Sequence, residues 1–132
     1  MIKYFFRPPN FPVICAVQGV LIGAETPEQY MEQVGAMNLP PGELLPFVDA
    51  TGEGWIFDTD HMIISPITSK KRWTKKEVID MFNKSCTSKQ IGKEYSSRSL
   101  SSKRFNRIMA EIVALIRSAN KRLQPNAASP HC

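Results

Sequence analysis

Between Thr51 and Glu77 the chain reads TGEGWIFDTDHMIISPITSKKRWTKKE, and within that stretch both its hydrophobic period and its electrical sign change. Up to Ile64 the apolar residues come in short runs, Phe47-Val48, Trp55-Ile56-Phe57 and Met62-Ile63-Ile64. These runs are bounded by Asp49-Ala50-Thr51-Gly52-Glu53-Gly54 and Asp58-Thr59-Asp60-His61, which have the turn chemistry of strand connections. From Thr74 onward, polar caps precede apolar residues three and four apart, the pattern of helices. The expected fold class is therefore α+β. It combines a small antiparallel β-sheet or hairpin and one helix in the N-terminal half with a three-helix C-terminal half ending in a long amphipathic helix.

At 132 residues the chain is one domain's worth, with 42% hydrophobic and 22% charged side chains, as in ordinary globular proteins. One domain is expected over residues 1–123, followed by a tail at 124–132 containing Pro125 and Pro130. MIKYFF reads as a strand stopped by Arg7-Pro8-Pro9-Asn10. The run Val13–Ile22 fits a buried strand broken at Gly19, and its length also allows a buried helix. Thr26-Pro27-Glu28-Gln29 opens a helix with the letters of a capping box.

Thr74-Lys75-Lys76-Glu77 is a second capping box, with Trp73 placed to staple against Val78, and Thr87-Ser88-Lys89-Gln90 is a third. A last helix starts at Ser101. Its stripe Phe105, Met109, Ile112, Ile116, Ala119, Leu123 marks a central core helix rather than an exposed coiled coil. The expected core is Trp55, Phe57, Ile63, Phe82, Ile91, Phe105, Ile108, Ile112 and Ile116.

The net charge of +5 conceals a division. Residues 1–68 hold two basic and eight acidic side chains, a balance of −6, whereas residues 69–132 hold fifteen Lys and Arg against four acidic ones, +11. Such asymmetry points either to an anionic partner for the basic half or to two halves that neutralise each other. Cys15, Cys86 and Cys132 show no framework or zinc spacing; Cys15 reads as core, Cys86 as loop and Cys132 as tail. Lys3, Arg7, the apolar run and Ala24 imitate a signal peptide, but Pro8, Pro9 and Pro12 break it and Gln18 and Gly19 interrupt it. A reduced, cytoplasmic protein without a membrane span is expected.

Catalytic signals are thin. Asp49, Glu53, Asp58, Asp60 and His61 have the types for a divalent metal or an acid–base pair, yet they match no calcium loop, and turn hydrogen bonding explains Asp at such positions. Neither G-x-S-x-G nor a Walker loop occurs, and Gly52-Glu53-Gly54 precedes a strand rather than a helix. No catalytic residue, metal or cofactor is assigned.

The basic half carries more. TSKQIGKEYSSRSLSSKRFNRI resembles a helix-turn-helix, with Ile91-Gly92 where a small residue suits the helix crossing. The resemblance implies that Ser99, Ser101, Ser102, Lys103, Arg104, Asn106 and Arg107 would meet phosphates and bases. The segment Tyr95–Leu100 exceeds the usual turn, and the last helix is long and apolar for a recognition helix.

Lys70-Lys71-Arg72-Trp73 with Lys75 and Lys76 forms a second basic cluster, although the staple role already accounts for Trp73. The functional expectation is a non-catalytic protein binding an anionic macromolecule, nucleic acid or an acidic protein. Its contacts are Lys70, Lys71, Arg72, Lys75, Lys103, Arg104 and Arg107. The alternative is a protein-interaction module, including a homodimer through the C-terminal helix, and an enzyme with an unrecognised site comes third.

Overall fold

The computed structural model describes residues 3–17, 19–37, 39, 42–67, 72–96 and 102–122. The elements are β1 (Lys3–Tyr4), β2 (Val13–Val17), β3 (Val20–Ala24), α1 (Pro27–Gly35), β4 (Leu44–Val48), β5 (Gly54–Asp58), β6 (Ile63–Pro66), α2 (Lys75–Lys84), α3 (Cys86–Ile91) and α4 (Phe105–Arg122). The fold is α+β. Its sheet is larger than the expected hairpin and is mixed: the order is β1-β6-β5-β4-β2-β3, with β1 parallel to β6 and the other neighbours antiparallel.

Alternation along the strands sends neighbouring side chains to opposite faces and builds two cores. Val13, Cys15, Phe47, Trp55, Phe57 and Ile64 pack with Tyr30 of α1 on one face. Ile14, Leu21 and Val48 pack on the other with Val78, Ile79 and Phe82 of α2 and Ile108, Met109, Ile112, Val113 and Ile116 of α4. Gly23 explains how closely α4 lies on β3: a Cβ there would stand 3.1 Å from Ile116 Cδ1 and 3.2 Å from the Val113 Cα.

Several local expectations are corrected. The 13–22 run is neither one strand nor a helix but most of a hairpin, β2 and β3, reversing at Gly19. Of the MIKYFF strand, Lys3–Tyr4 is strand and Phe5–Phe6 is not, and residues 1–2 lie outside the described residues. Thr26 caps α1 by accepting from the Gln29 N–H, but Gln29 Oε1 accepts from the Glu25 N–H instead of closing the box on Thr26. The Thr74 box is complete in both directions.

Thr87 is not a cap. α3 is capped by Ser85, and the Thr87 hydroxyl inside the helix accepts from the Leu21 N–H at 3.0 Å. Cys86, read as loop, is buried as the first residue of α3 and is disulfide-bonded. Of the expected core, Ile63, Ile91 and Phe105 are half-buried and the other six are buried. Ser101, Leu123 and the tail at 124–132 lie outside the described residues.

Candidate functional site

Besides packing on a face of the sheet, the basic half meets the turn at 49–53. Asp49, fully buried, accepts from five donors: through Oδ1 the Thr51 N–H at 2.9 Å, the Thr51 hydroxyl at 2.7 Å and the Glu53 N–H at 3.0 Å, and through Oδ2 the Asn10 N–H at 3.2 Å and the Trp55 indole at 3.0 Å. A buried carboxylate so satisfied fixes the backbone of residues 49–53. Gly52 sits there at φ 89, where a Cβ would stand 2.9 Å from the Trp73 carbonyl oxygen and 3.4 Å from Phe105 Cζ. The Trp73 N–H donates to the Gly52 carbonyl at 2.7 Å. The turn thus seats the start of α2 and the start of α4 side by side.

Around this junction the cations gather. The Arg72 guanidinium donates to the Thr51 carbonyl at 3.1 Å and the Thr51 hydroxyl at 2.9 Å. Lys75 Nζ donates to the Lys103 carbonyl at 3.0 Å, joining α2 to the lead-in of α4. Lys103 Nζ lies 2.7 Å from Glu111 Oε1 and 5.6 Å from the Tyr95 ring centroid, and Arg107 Nε lies 3.1 Å from Glu111 Oε2.

The Lys103 hydrogen bond, followed by that of Arg107, holds the Glu111 carboxyl below its ordinary range despite partial burial. Tyr95 donates its hydroxyl to Glu111 Oε1 at 3.3 Å and is pushed up to about 12, by burial first and the Glu111 charge second. Arg104 is exposed, and among the described residues its guanidinium takes no hydrogen-bond or ion-pair partner.

Of the seven expected contacts, Arg72, Lys75, Lys103, Arg104 and Arg107 lie on the lead-ins and first turns of α2 and α4, with Arg72 turned to Thr51, Lys75 to the Lys103 carbonyl, and Lys103 and Arg107 to Glu111, while Lys70 and Lys71 lie outside the described residues, as do Ser99 and Ser101. Glu111 and Tyr95, which position two of the cations, were missed. The i, i+4 spacing of Arg107 and Glu111 was the legible signal for the first. α4 is not presented to a groove along its length, because Ile108, Met109, Ile112 and Ile116 are buried against the sheet side; Asn106 and Arg107 on its first turn are exposed. The same burial takes up most of the stripe that a homodimer through this helix would have used.

The acidic candidates are dispersed into turns. Glu53 holds Arg7 in a bidentate pair at 2.7 and 2.5 Å. Asp58 accepts from the Asp60 and His61 N–H groups and meets His61 Nδ1 at 3.0 Å, and Asp60 Oδ1 accepts from the Gly42 N–H. Among the described residues no three His, Cys, Asp or Glu side chains come together at metal-binding range, and no helix is long and apolar enough to cross a membrane.

Between described residues the salt bridges stay within each half, while the Glu53 charge also acts on Arg72 across the divide. These bridges are Arg7–Glu53 within residues 1–68, where His61 also meets Asp58 as a hydrogen-bond partner, and Lys76–Asp80, Lys103–Glu111 and Arg107–Glu111 within residues 69–132. In comparisons with known proteins, no family model, no curated protein and no solved structure matches the chain.

Proposed function

We propose that this is a non-catalytic binding protein whose helical C-terminal half engages an anionic macromolecule through Arg72, Lys75, Lys103, Arg104 and Arg107, with nucleic acid as that partner. One observation carries the reading: the salt bridges between described residues stay within each half, although the Glu53 charge also acts on Arg72. At the α2–α4 junction Glu111 faces Lys103 and Arg107, and Arg104 stands without a partner among the described residues. Lys70 and Lys71 extend the same footprint in sequence. Phosphates recognise such a cluster as point charges, with Arg adding bidentate geometry.

Anisotropy of labelled mixed-sequence DNA and RNA at 50 and 200 mM salt tests it. Five phosphate contacts on a duplex would weaken binding about five-hundredfold between those salts. The triple variant Lys103→Glu, Arg104→Glu, Arg107→Glu, shown to be folded by its melting curve, is expected to lose binding. Absence of binding at 50 mM salt removes nucleic acid as the partner, and unchanged binding in the folded variant removes the junction as the site. For the compartment the reading remains a reducing cytoplasm, resting on three cysteines without framework spacing. The disulfide at Cys86 runs against it, and a count of free thiols in protein purified without reductant decides between the two.

A further inference from the structure

Two aromatic rings stand in water at the start of the chain, and neither core uses them. Phe5 is 52% and Phe6 83% exposed, and their centroids lie 4.5 Å apart in an edge-to-face contact. The backbone that presents them is strained: the Arg7 N–H donates to the Phe5 carbonyl at 2.9 Å across Phe6, whose φ is 73. A three-residue turn with its central residue at positive φ is rare, and for a bulky side chain it persists only where its surroundings impose it.

Here the surroundings hold both ends. Upstream, the Phe5 N–H donates to the Ile64 carbonyl at 2.8 Å, and downstream the Arg7 guanidinium is clamped bidentately by Glu53 and lies 5.0 Å from the Trp55 ring centroid. Strain maintained to keep two large apolar rings exposed runs opposite to the economy of folding and is the mark of a contact surface.

The position of these rings decides what they contact. Arg7 ends on Glu53, Glu53 and Thr51 are bound through Asp49, and Arg72 donates to Thr51. The aromatic knuckle and the basic junction are thus anchored on the same five-residue turn, 49–53. A polyanion that follows the cations past this turn reaches two exposed rings. In a duplex the faces of the bases are stacked on one another and unavailable, whereas an unpaired strand offers a face to each ring.

We propose that the ligand is single-stranded nucleic acid, with Phe5 and Phe6 stacking unpaired bases while the α2–α4 junction holds the backbone; this rests on the nucleic-acid reading above. The test compares a labelled mixed-sequence strand, an abasic strand of equal length and the corresponding duplex, against wild type, Phe5→Ala/Phe6→Ala and the triple Glu variant. Wild type is expected to bind the unpaired strand more tightly than the other two. Loss of the rings is expected to weaken that binding about tenfold or more, with the melting temperature, the duplex affinity and the salt slope unchanged.

Equal affinity of the double Ala variant, a preference for duplex, or equal binding of the abasic strand overturns the inference. If the triple Glu variant still abolishes binding in that case, the broader reading stands. Failure of wild type to bind any of the three probes overturns both.

Discussion

Glu111 is the one residue whose replacement should move stability and binding in opposite directions. Its carboxylate accepts from Lys103 at 2.7 Å, Arg107 at 3.1 Å and the Tyr95 hydroxyl at 3.3 Å. Glu111→Gln keeps the shape and one acceptor but removes the charge. The partners are partly solvated, with Arg107 70% exposed, so screening limits what the two pairs contribute to about 1 kcal/mol together. For a chain of this size that is a fall of about 4 °C in melting temperature.

The Glu111 carboxyl is depressed in the fold, so its contribution is present above the unfolded carboxylate pKa and is lost as pH falls through the folded one. The gap between variant and wild type should therefore be open at pH 7 and close as the pH is taken below the ordinary Glu range of about 4.3. Nucleic-acid affinity should rise several-fold at low salt, because Lys103 and Arg107 lose their internal counter-charge. The salt slope on duplex should steepen by about 0.9 for each cation released to a phosphate. Thermal melts across pH together with anisotropy at several salts check all three effects. A destabilised variant with unchanged affinity and slope would place Lys103 and Arg107 outside the footprint. A gap that persists at acid pH would show that the loss was not electrostatic.

Two further outcomes concern the frame of the site. Asp49→Ala would leave the Trp55 indole and the Asn10, Thr51 and Glu53 N–H groups without their acceptor and should cost about 3 kcal/mol in urea unfolding, with the junction cations loosening as the turn frays. The buried Tyr30 hydroxyl has the Cys15 thiol, a weak partner, as its polar neighbour, so Tyr30→Phe should move stability by no more than about 1 kcal/mol; a larger loss would mean that the hydroxyl is firmly satisfied.

What could be read from the sequence was the local part. The Thr74 box closes within four residues and forms as its letters imply, and the 105–119 stripe predicts the buried side of α4 because its period is the helix's own. The T-x-x-Q at Thr87 has the same letters, but its hydroxyl is taken by Leu21, 66 residues away, and Ser85 becomes the cap. The 13–22 run has a length that suits several structures, and only pairing between Val17 and Val20 across Gly19 selects a hairpin.

The pairing of β1 with β6 is equally non-local, and MIKYFF gave no sign that its phenylalanines would turn outward. At the site, the cations were legible as residue types. That Lys75 would meet the Lys103 carbonyl, and that Asp49 would serve as a buried anchor rather than a ligand, depends on contacts between distant parts of the chain.

The sheet's two edges narrow how any partner can attach. Strand addition requires a free row of backbone groups. At the β3 edge the Gly19 carbonyl accepts from the Cys86 N–H at 2.8 Å, the Leu21 N–H donates to Thr87, and the Gly23 carbonyl accepts from Gln33 Nε2 at 2.6 Å. Helices on both faces thus supply side-chain and backbone partners along that edge. At the other edge β1 is two residues long and is cut short by the turn at Phe6 and by Pro8 and Pro9. Among the described residues neither edge offers the length that backbone pairing needs, so on the proposed reading affinity would come from side chains. On that reading they would be the rings of Phe5 and Phe6 and the cations of the α2–α4 junction, each tied to the 49–53 turn, the first through Arg7 on Glu53 and the second through Arg72 on Thr51.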